Sequence, residues 1–130
     1  MPDAFARLAA AVLLTIAFGG CTSPSATVRQ QRDKLESLAA STRLVARDWI
    51  DGQLSQRYTR TAFAALFEQV EQQRSSLAAT PQALADPQGA ALSQQAEQLS
   101  RLIAEMIRDV ERDDAGAVRG RLGGIPLANR

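Results

Sequence analysis

Apolar residues between Ala90 and Arg112 recur at alternating steps of four and three, the spacing of one face of an α-helix. The members of this stripe are Leu92, Ala96, Leu99, Ile103, Met106 and Val110. Leu102 and Ile107 widen it to the breadth of a face that packs on a protein core. A helix of these 23 residues is about 35 Å long and must bury its apolar face against partners of similar length. The sequence therefore predicts an all-α fold with long helices.

Two earlier segments carry apolar residues at the same helical spacing. The first runs from about Val28 to Asp51, and its stripe consists of Val28, Leu35, Leu38, Thr42, Val45 and Trp49. The second begins near Ser55, a favourable N-cap residue, and runs to about Ala79. Its stripe consists of Phe63, Leu66, Phe67, Val70 and Leu77, with Tyr58 and Ala62 extending it backwards. Together with the 90–112 segment, these patterns predict three helices of similar length.

Helix-breaking residues separate these segments. Asp51-Gly52 predicts a C-terminal stop, and Thr80-Pro81 ends the second segment because proline lacks an amide proton. Asp86-Pro87 predicts the cap and first residue of the next helix, after a linker of about one turn. A short fourth helix follows, from about Asp114 to Leu122, capped by Asp113 and closed by Gly123-Gly124.

Short connections make sequential helices antiparallel. The expected fold is a three-helix up-down-up bundle with a short fourth C-terminal helix. The alternative is a long coiled-coil oligomer, which the near-heptad spacing of residues 90–112 also allows. The repeated proline and glycine breaks favour a chain that folds back on itself into a monomeric bundle.

The N-terminal residues have the features of a targeting segment. Leu8 to Phe18 is an apolar run of eleven residues, interrupted only by Thr15. That length is typical of a signal-peptide apolar region, whereas a membrane-spanning helix needs about 20 residues. The run leads into "FGGC", which ends at Cys21, the only cysteine of the chain.

"FGGC" resembles the lipobox of bacterial lipoproteins, with Phe18 where the pattern usually has leucine. The resemblance implies that Cys21 receives a diacylglycerol and becomes the first residue of the mature protein. Thr22 follows it, and the absence of aspartate there implies the outer membrane, facing the periplasm. The expected organisation is a signal peptide at 1–20, a lipidated N-terminus and tether at 21–27, a helical domain at 28–125 and a tail at 126–130.

The composition argues against several kinds of chemistry. The chain has no histidine, which removes the commonest general base and the commonest metal ligand. Its net charge of +1 gives no basic field for nucleic acid. Four carboxylates, Glu105, Asp109, Asp113 and Asp114, form an acidic stripe, which we interpret as a solvated face balanced by neighbouring arginines. We expect no metal, no cofactor, no small-molecule substrate and no enzymatic activity.

Protein interaction remains as the expected role. Arg57, Tyr58 and Arg60 follow the first helix break, and Tyr and Arg are enriched at binding hot spots. We expect these residues to be the candidate partner-binding site. Trp49 either joins them or closes the end of the core, and its place on the first stripe favours the core. The first hypothesis is a lipid-anchored envelope protein with a structural or interaction role. The second is a chaperone-like lipoprotein that escorts a membrane partner, by analogy with some secretin pilots in size and anchor.

Overall fold

The computed structural model describes residues 24–126, which form five α-helices and no strand. The helices are α1 (Pro24–Ile50), α2 (Gln56–Ala78), α3 (Pro81–Ala85), α4 (Pro87–Glu111) and α5 (Ala115–Leu122). The all-α prediction is confirmed for this part of the chain. Helix α1 begins four residues before the predicted Val28, because proline suits the first helical turn, where amide protons have no intrahelical acceptor.

The start of α2 and the start of α4 are capped as the sequence predicts. The hydroxyl of Ser55 accepts a hydrogen bond from the amide of Tyr58 at 3.1 Å. The carboxylate of Asp86 accepts one from the amide of Gln88 at 2.8 Å, and Pro87 occupies the first position of α4. The linker between α2 and α4 contains the expected single helical turn, which is α3.

Two long helices end in the same backbone motif, but with different residues. At the end of α1, Gly52 has φ 76°, and its amide donates to the carbonyl of Trp49 at 3.0 Å. At the end of α4, Asp113 takes the equivalent position with φ 55°, and its amide donates to the carbonyl of Val110 at 3.0 Å. The prediction that Asp113 caps α5 is therefore wrong. Asp114 is the cap, and its carboxylate accepts from the amide of Ala117 at 2.9 Å.

The predicted apolar stripes form one core. In α4 all six predicted positions are buried, and Leu99, Ile103 and Met106 are fully inaccessible. Helix α2 packs against both α1 and α4, and α5 rests on α1 and α4. Ile125 folds back into the core after Gly123-Gly124, as predicted.

One residue of the predicted α2 stripe is misplaced. Tyr58 is 59% exposed, and Thr59 is buried in its place. Thr59 precedes Phe63 by four residues, whereas Tyr58 precedes it by five and so points away from the core. The Thr59 hydroxyl donates to the carbonyl of Ser55 at 2.8 Å, which satisfies its polar group inside the protein.

The junction of α3 and α4 is unusually close. A Cβ atom added to Gly89 would lie 1.8 Å from the carbonyl oxygen of Ala83. Both residues are buried, so α3 packs backbone-to-backbone against the first turn of α4. Any larger residue at position 89 would have to separate the two helices.

Candidate functional site

The candidate partner-binding residues lie at the start of α2, immediately after the α1–α2 connection. Arg57, Tyr58 and Arg60 are all exposed, and the phenol of Tyr58 is the most accessible aromatic ring among the described large apolar residues. Trp49 is only 8% exposed, which confirms that it closes the end of the core. The sequence therefore identified the exposed cations correctly and assigned Trp49 to the right environment.

Two of these residues, Arg57 and Arg60, line a shallow groove between α2 and α4, and Tyr58 lies outside its lining, next to Arg57. The groove has a volume of about 370 Å³ and is lined by Arg57, Arg60, Thr61, Ala64 and Ile107. The four α2 residues lie at positions i, i+3, i+4 and i+7, so they share one helix face. Ile107 is half-buried and contributes an apolar wall from α4. The groove thus combines a cationic edge with a small apolar floor.

Hydrogen bonds and an ion pair join the start of α2 to the end of α4. The amide nitrogen of the Gln56 side chain donates to the carbonyl oxygens of Val110 at 2.6 Å and Glu111 at 3.2 Å. A guanidinium nitrogen of Arg60 lies 3.1 Å from a carboxylate oxygen of Glu111. These contacts hold the groove in shape, and they leave Arg57 as the exposed cation of the site without a charged partner among residues 24–126.

Comparisons with protein-family models, with curated proteins and with solved structures find no match to this chain. The chemistry of the groove therefore has to be inferred from its own residues. Guanidinium groups beside an exposed phenol can bind a carboxylate and an apolar side chain together. That combination suits a peptide or protein surface.

The predicted solvated face holds for only half of the acidic stripe, because Asp113 and Asp114 are exposed whereas Glu105 is half-buried and Asp109 is buried. The side chain of Asp109 is only 2% exposed, and one of its oxygens lies 2.5 Å from Nε of Arg121 on α5. Arg112 reaches its other oxygen at 3.1 Å, and Glu105 binds Arg121 at 2.6 Å. The hydrogen bond from Arg121 to Asp109 raises the pKa of that guanidinium further above its usual value. Asp109 and Glu105 therefore fasten α5 to α4.

The sequence contained a signal for this burial that was missed. Asp109 follows Met106 by three residues and so lies on the apolar side of α4. A carboxylate at such a position needs a cation, and only the fold brings Arg121 to it. Among residues 24–126, no group of three metal-ligating side chains is placed to hold an ion.

A second polar contact joins α2 to α4 away from the groove. The buried hydroxyl of Ser100 donates to the carboxylate of Glu71, and Arg74 pairs with the same oxygen at 2.7 Å. The hydrogen bond from Ser100 is the main reason that the pKa of Glu71 lies below its usual value, and Arg74 adds to the effect. Both partners are intramolecular, so Glu71 is satisfied without a ligand.

The predicted lipidation site, Cys21, and the predicted signal peptide lie outside the described residues. None of the helices within residues 24–126 is both long and apolar enough to cross a membrane.

Proposed function

We propose that this chain is a lipid-anchored protein of the bacterial envelope that binds a protein partner through the groove beside Tyr58. The observation that carries the interaction role is the exposure of Tyr58 next to Arg57 and the cationic groove. The lipobox-like "FGGC" ending at Cys21 supports the anchor. The proposed location is the outer membrane, with the helical domain in the periplasm.

The start of α1 supports a short connection between the domain and the lipid. Only Thr22 and Ser23 separate Cys21 from Pro24, the first residue of α1. Three steps between α-carbons reach at most about 11 Å. The first turn of α1 would therefore lie close to the membrane surface, within a shorter maximum distance than the predicted tether of residues 21–27 would set.

The proposed arrangement of the long helices is an up-down-up bundle with α5 as the short C-terminal helix. It is supported by the bonds from Gln56 to Val110 and Glu111, which join the start of α2 to the end of α4. Helix α1 contains 27 residues and so rises about 40 Å. In this arrangement Tyr58 lies at the end of the bundle farthest from the lipid, where a periplasmic partner has access to it.

A photo-crosslinking experiment tests the interaction surface. Benzoylphenylalanine in place of Tyr58 keeps an aromatic side chain at the exposed position, and the same residue in place of the exposed Gln82 is the control. We expect protein crosslinks from position 58 in intact cells and none from position 82. Protein crosslinks from position 82 alone would contradict the proposal.

A labelling experiment tests the anchor. Cys21→Ser should abolish incorporation of radioactive palmitate and leave an unprocessed precursor. A wild-type protein that incorporates no palmitate, or whose mature form begins at another residue, would show that the anchor is wrong.

The escort role is favoured by one feature, the groove between α2 and α4. A groove with an apolar floor suits a partner segment that inserts into it, whereas a structural role needs only a surface. Loss of the partner from the outer membrane in an Arg57→Glu strain would favour escort, and an unchanged partner distribution would favour the structural role.

An enzymatic role has the least support. The chain has no histidine, and the two groups with shifted pKa, Glu71 and Arg121, both serve internal contacts.

A further inference from the structure

Residues 75–96 form a segment that is poor in charge, and this charge-poor segment covers the end of α2, all of α3 and the start of α4. Asp86 is its only ionisable side chain, and that carboxylate caps α4. The exposed surface of the segment consists of small apolar and neutral polar residues, among them Ala79, Pro81 and Gln82. Such a surface can leave bulk water without the large desolvation penalty of a charge.

Leu84 is the largest apolar side chain that the charge-poor segment exposes. It is 37% exposed on α3, while its neighbour Ala83 is buried beneath it against α4. A single partly exposed leucine is ordinary on a protein surface. Here it lies at the tip of a surface on which Asp86 is the one charged side chain of residues 75–96, so this segment differs from the charged segments on either side of it.

The contacts of α1 place this tip at the same end as the proposed lipid anchor. Helix α2 has 23 residues and carries the chain about 35 Å away from the end of α1 before α3 begins. Helix α1 nevertheless packs against α2 and against α3. It can reach α3 only through its N-terminal part, which begins at Pro24, three residues after Cys21.

We propose that the α3 tip, centred on Leu84, rests in the headgroup region of the membrane to which Cys21 is anchored. This inference rests on the proposed lipid anchor. The apolar area of one leucine, a few alanines and prolines is too small to bind a membrane alone. The anchor removes that difficulty, because it holds the tip beside the lipid at high effective concentration. The contact orients the bundle so that Tyr58 and the groove lined by Arg57 and Arg60 point away from the membrane.

Fluorescence of a depth-sensitive label tests this contact on the full, lipidated chain. The lipidated sulfur of Cys21 cannot react with a thiol reagent, so a single introduced cysteine carries the label. Leu84→Cys places it on the tip, and Leu44→Cys is the matched control, because Leu44 is an exposed leucine on α1 with 60% of its surface accessible. The protein is inserted into vesicles of phosphatidylethanolamine and phosphatidylglycerol that contain spin-labelled lipids.

We expect quenching by headgroup spin labels to be several-fold stronger at position 84 than at position 44. Gln82→Cys should behave like Leu84→Cys, and it removes no buried contact if Leu84→Cys disturbs folding. Equal quenching at 44 and at both tip positions, or none at 82 and 84, would overturn the inference.

Mass spectrometry of the N-terminal peptide shows whether Cys21 carries lipid. It therefore distinguishes failure of the proposed anchor from failure of the proposed contact at the α3 tip. A chain that carries lipid on Cys21 but leaves positions 82 and 84 unquenched keeps the anchor and overturns only the contact of the tip. A chain without lipid on Cys21 overturns both.

A second test introduces Leu84→Glu into the chain labelled at position 82. The label should then lose most of its quenching, whereas Leu44→Glu should leave the quenching at position 82 unchanged. Unchanged quenching in both variants would also contradict the contact.

Discussion

Two adjoining stretches of the chain fold into helices of the same core but differ sharply in charge. The charge-poor segment, residues 75–96, has one ionisable side chain, whereas residues 97–121, the charge-rich segment, have eleven. Both contribute buried apolar residues, such as Leu92 in the first and Leu99 in the second. The hydrophobic stripe of α4 runs through both without interruption, so the difference concerns the surface and the junctions rather than the core.

The junctions show what the difference means for stability. In the charge-rich segment α5 is fastened to α4 by Arg121, which binds Asp109 and Glu105. In the charge-poor segment α3 meets α4 through backbone contact at Gly89, without an ion pair. One junction depends on side-chain charge and the other on the absence of a side chain. Substitutions at the two junctions should therefore destabilise the protein for different reasons, by loss of an ion pair at α5 and by a steric clash at α3.

The largest expected effect is at the charged junction. Asp109→Ala removes the buried partner of Arg121 and leaves that guanidinium with Glu105 alone. We expect a loss of about 3 kcal/mol of unfolding free energy, because Arg121 and Arg112 each lose a charge-assisted hydrogen bond to the carboxylate, worth about 1.5–3 kcal/mol apiece. Denaturant titration measures it.

The matched control is Glu111→Ala on the same helix. Glu111 pairs with Arg60, and its side chain is 45% exposed. Its removal should change stability by less than about 1 kcal/mol. Equal losses from the two variants would show that the buried pair does not hold the junction.

The next effect is at the neutral junction. Gly89→Ala introduces a methyl group 1.8 Å from the carbonyl oxygen of Ala83, so α3 must move off α4. We expect a loss of about 2 kcal/mol, within the range for overpacked sites. The control is Gly120→Ala on α5, where an added Cβ meets nothing within 4 Å. That variant should be slightly more stable, by about 0.5 kcal/mol, because alanine favours the helix. Two variants of equal stability would mean that the close approach is relaxed in solution.

The sequence predicted most of the fold because apolar spacing and caps are local signals. Each of these signals involves neighbouring residues within one or two helical turns. Examples are the successive members of the α4 stripe, the caps at Ser55 and Asp86, and the stop at Gly52. These features depend on helix geometry alone, so they hold whatever the helices pack against.

The missed features depend on contacts between distant residues. The sequence predicts a solvated Asp109 because its partner Arg121 lies twelve residues away, on a different helix. The predicted stripe of α2 wrongly includes Tyr58, because the phase of the helix is weakly defined before Phe63. The exposure of Tyr58 agrees instead with the separate prediction that it is a candidate binding residue. The groove beside it requires Ile107 from α4, and no pattern within α2 could predict that neighbour.

A smaller effect is expected where the charge-rich segment uses an unusual residue for a turn. Asp113 has φ 55° at the end of α4, and Gly52 has the same left-handed conformation at the equivalent position at the end of α1. Left-handed backbone is unfavourable for residues with a Cβ, so Asp113→Gly should stabilise the protein by about 0.5–1 kcal/mol. Gly52→Ala should have the opposite effect, by about 1 kcal/mol. Thermal unfolding of the two variants measures both. Destabilisation by Asp113→Gly would show that the aspartate side chain has a role in the turn.

The smallest expected effect concerns the single contact that reaches from the charge-rich segment to Glu71 on α2. Ser100 donates to the Glu71 carboxylate and, with Arg74, lowers its pKa below the usual 4.5. A carboxyl group whose pKa is lower when folded stabilises the protein above its unfolded pKa, and this contribution is lost as pH falls through the folded pKa. Ser100→Ala should therefore raise the pKa of Glu71 toward 4.5 and weaken the pH dependence of stability below that value. At neutral pH the loss should stay below about 1 kcal/mol, because Glu71 is partly solvated and keeps Arg74.

Carboxyl chemical shifts followed through an acid titration give the pKa directly. Ser41→Ala, an exposed serine on α1, is the control and should leave the pKa of Glu71 unchanged. An unaltered Glu71 titration in Ser100→Ala would mean that Arg74 alone sets its pKa, and that the charge-rich segment is coupled to α2 only through the core and the Gln56 and Arg60 contacts.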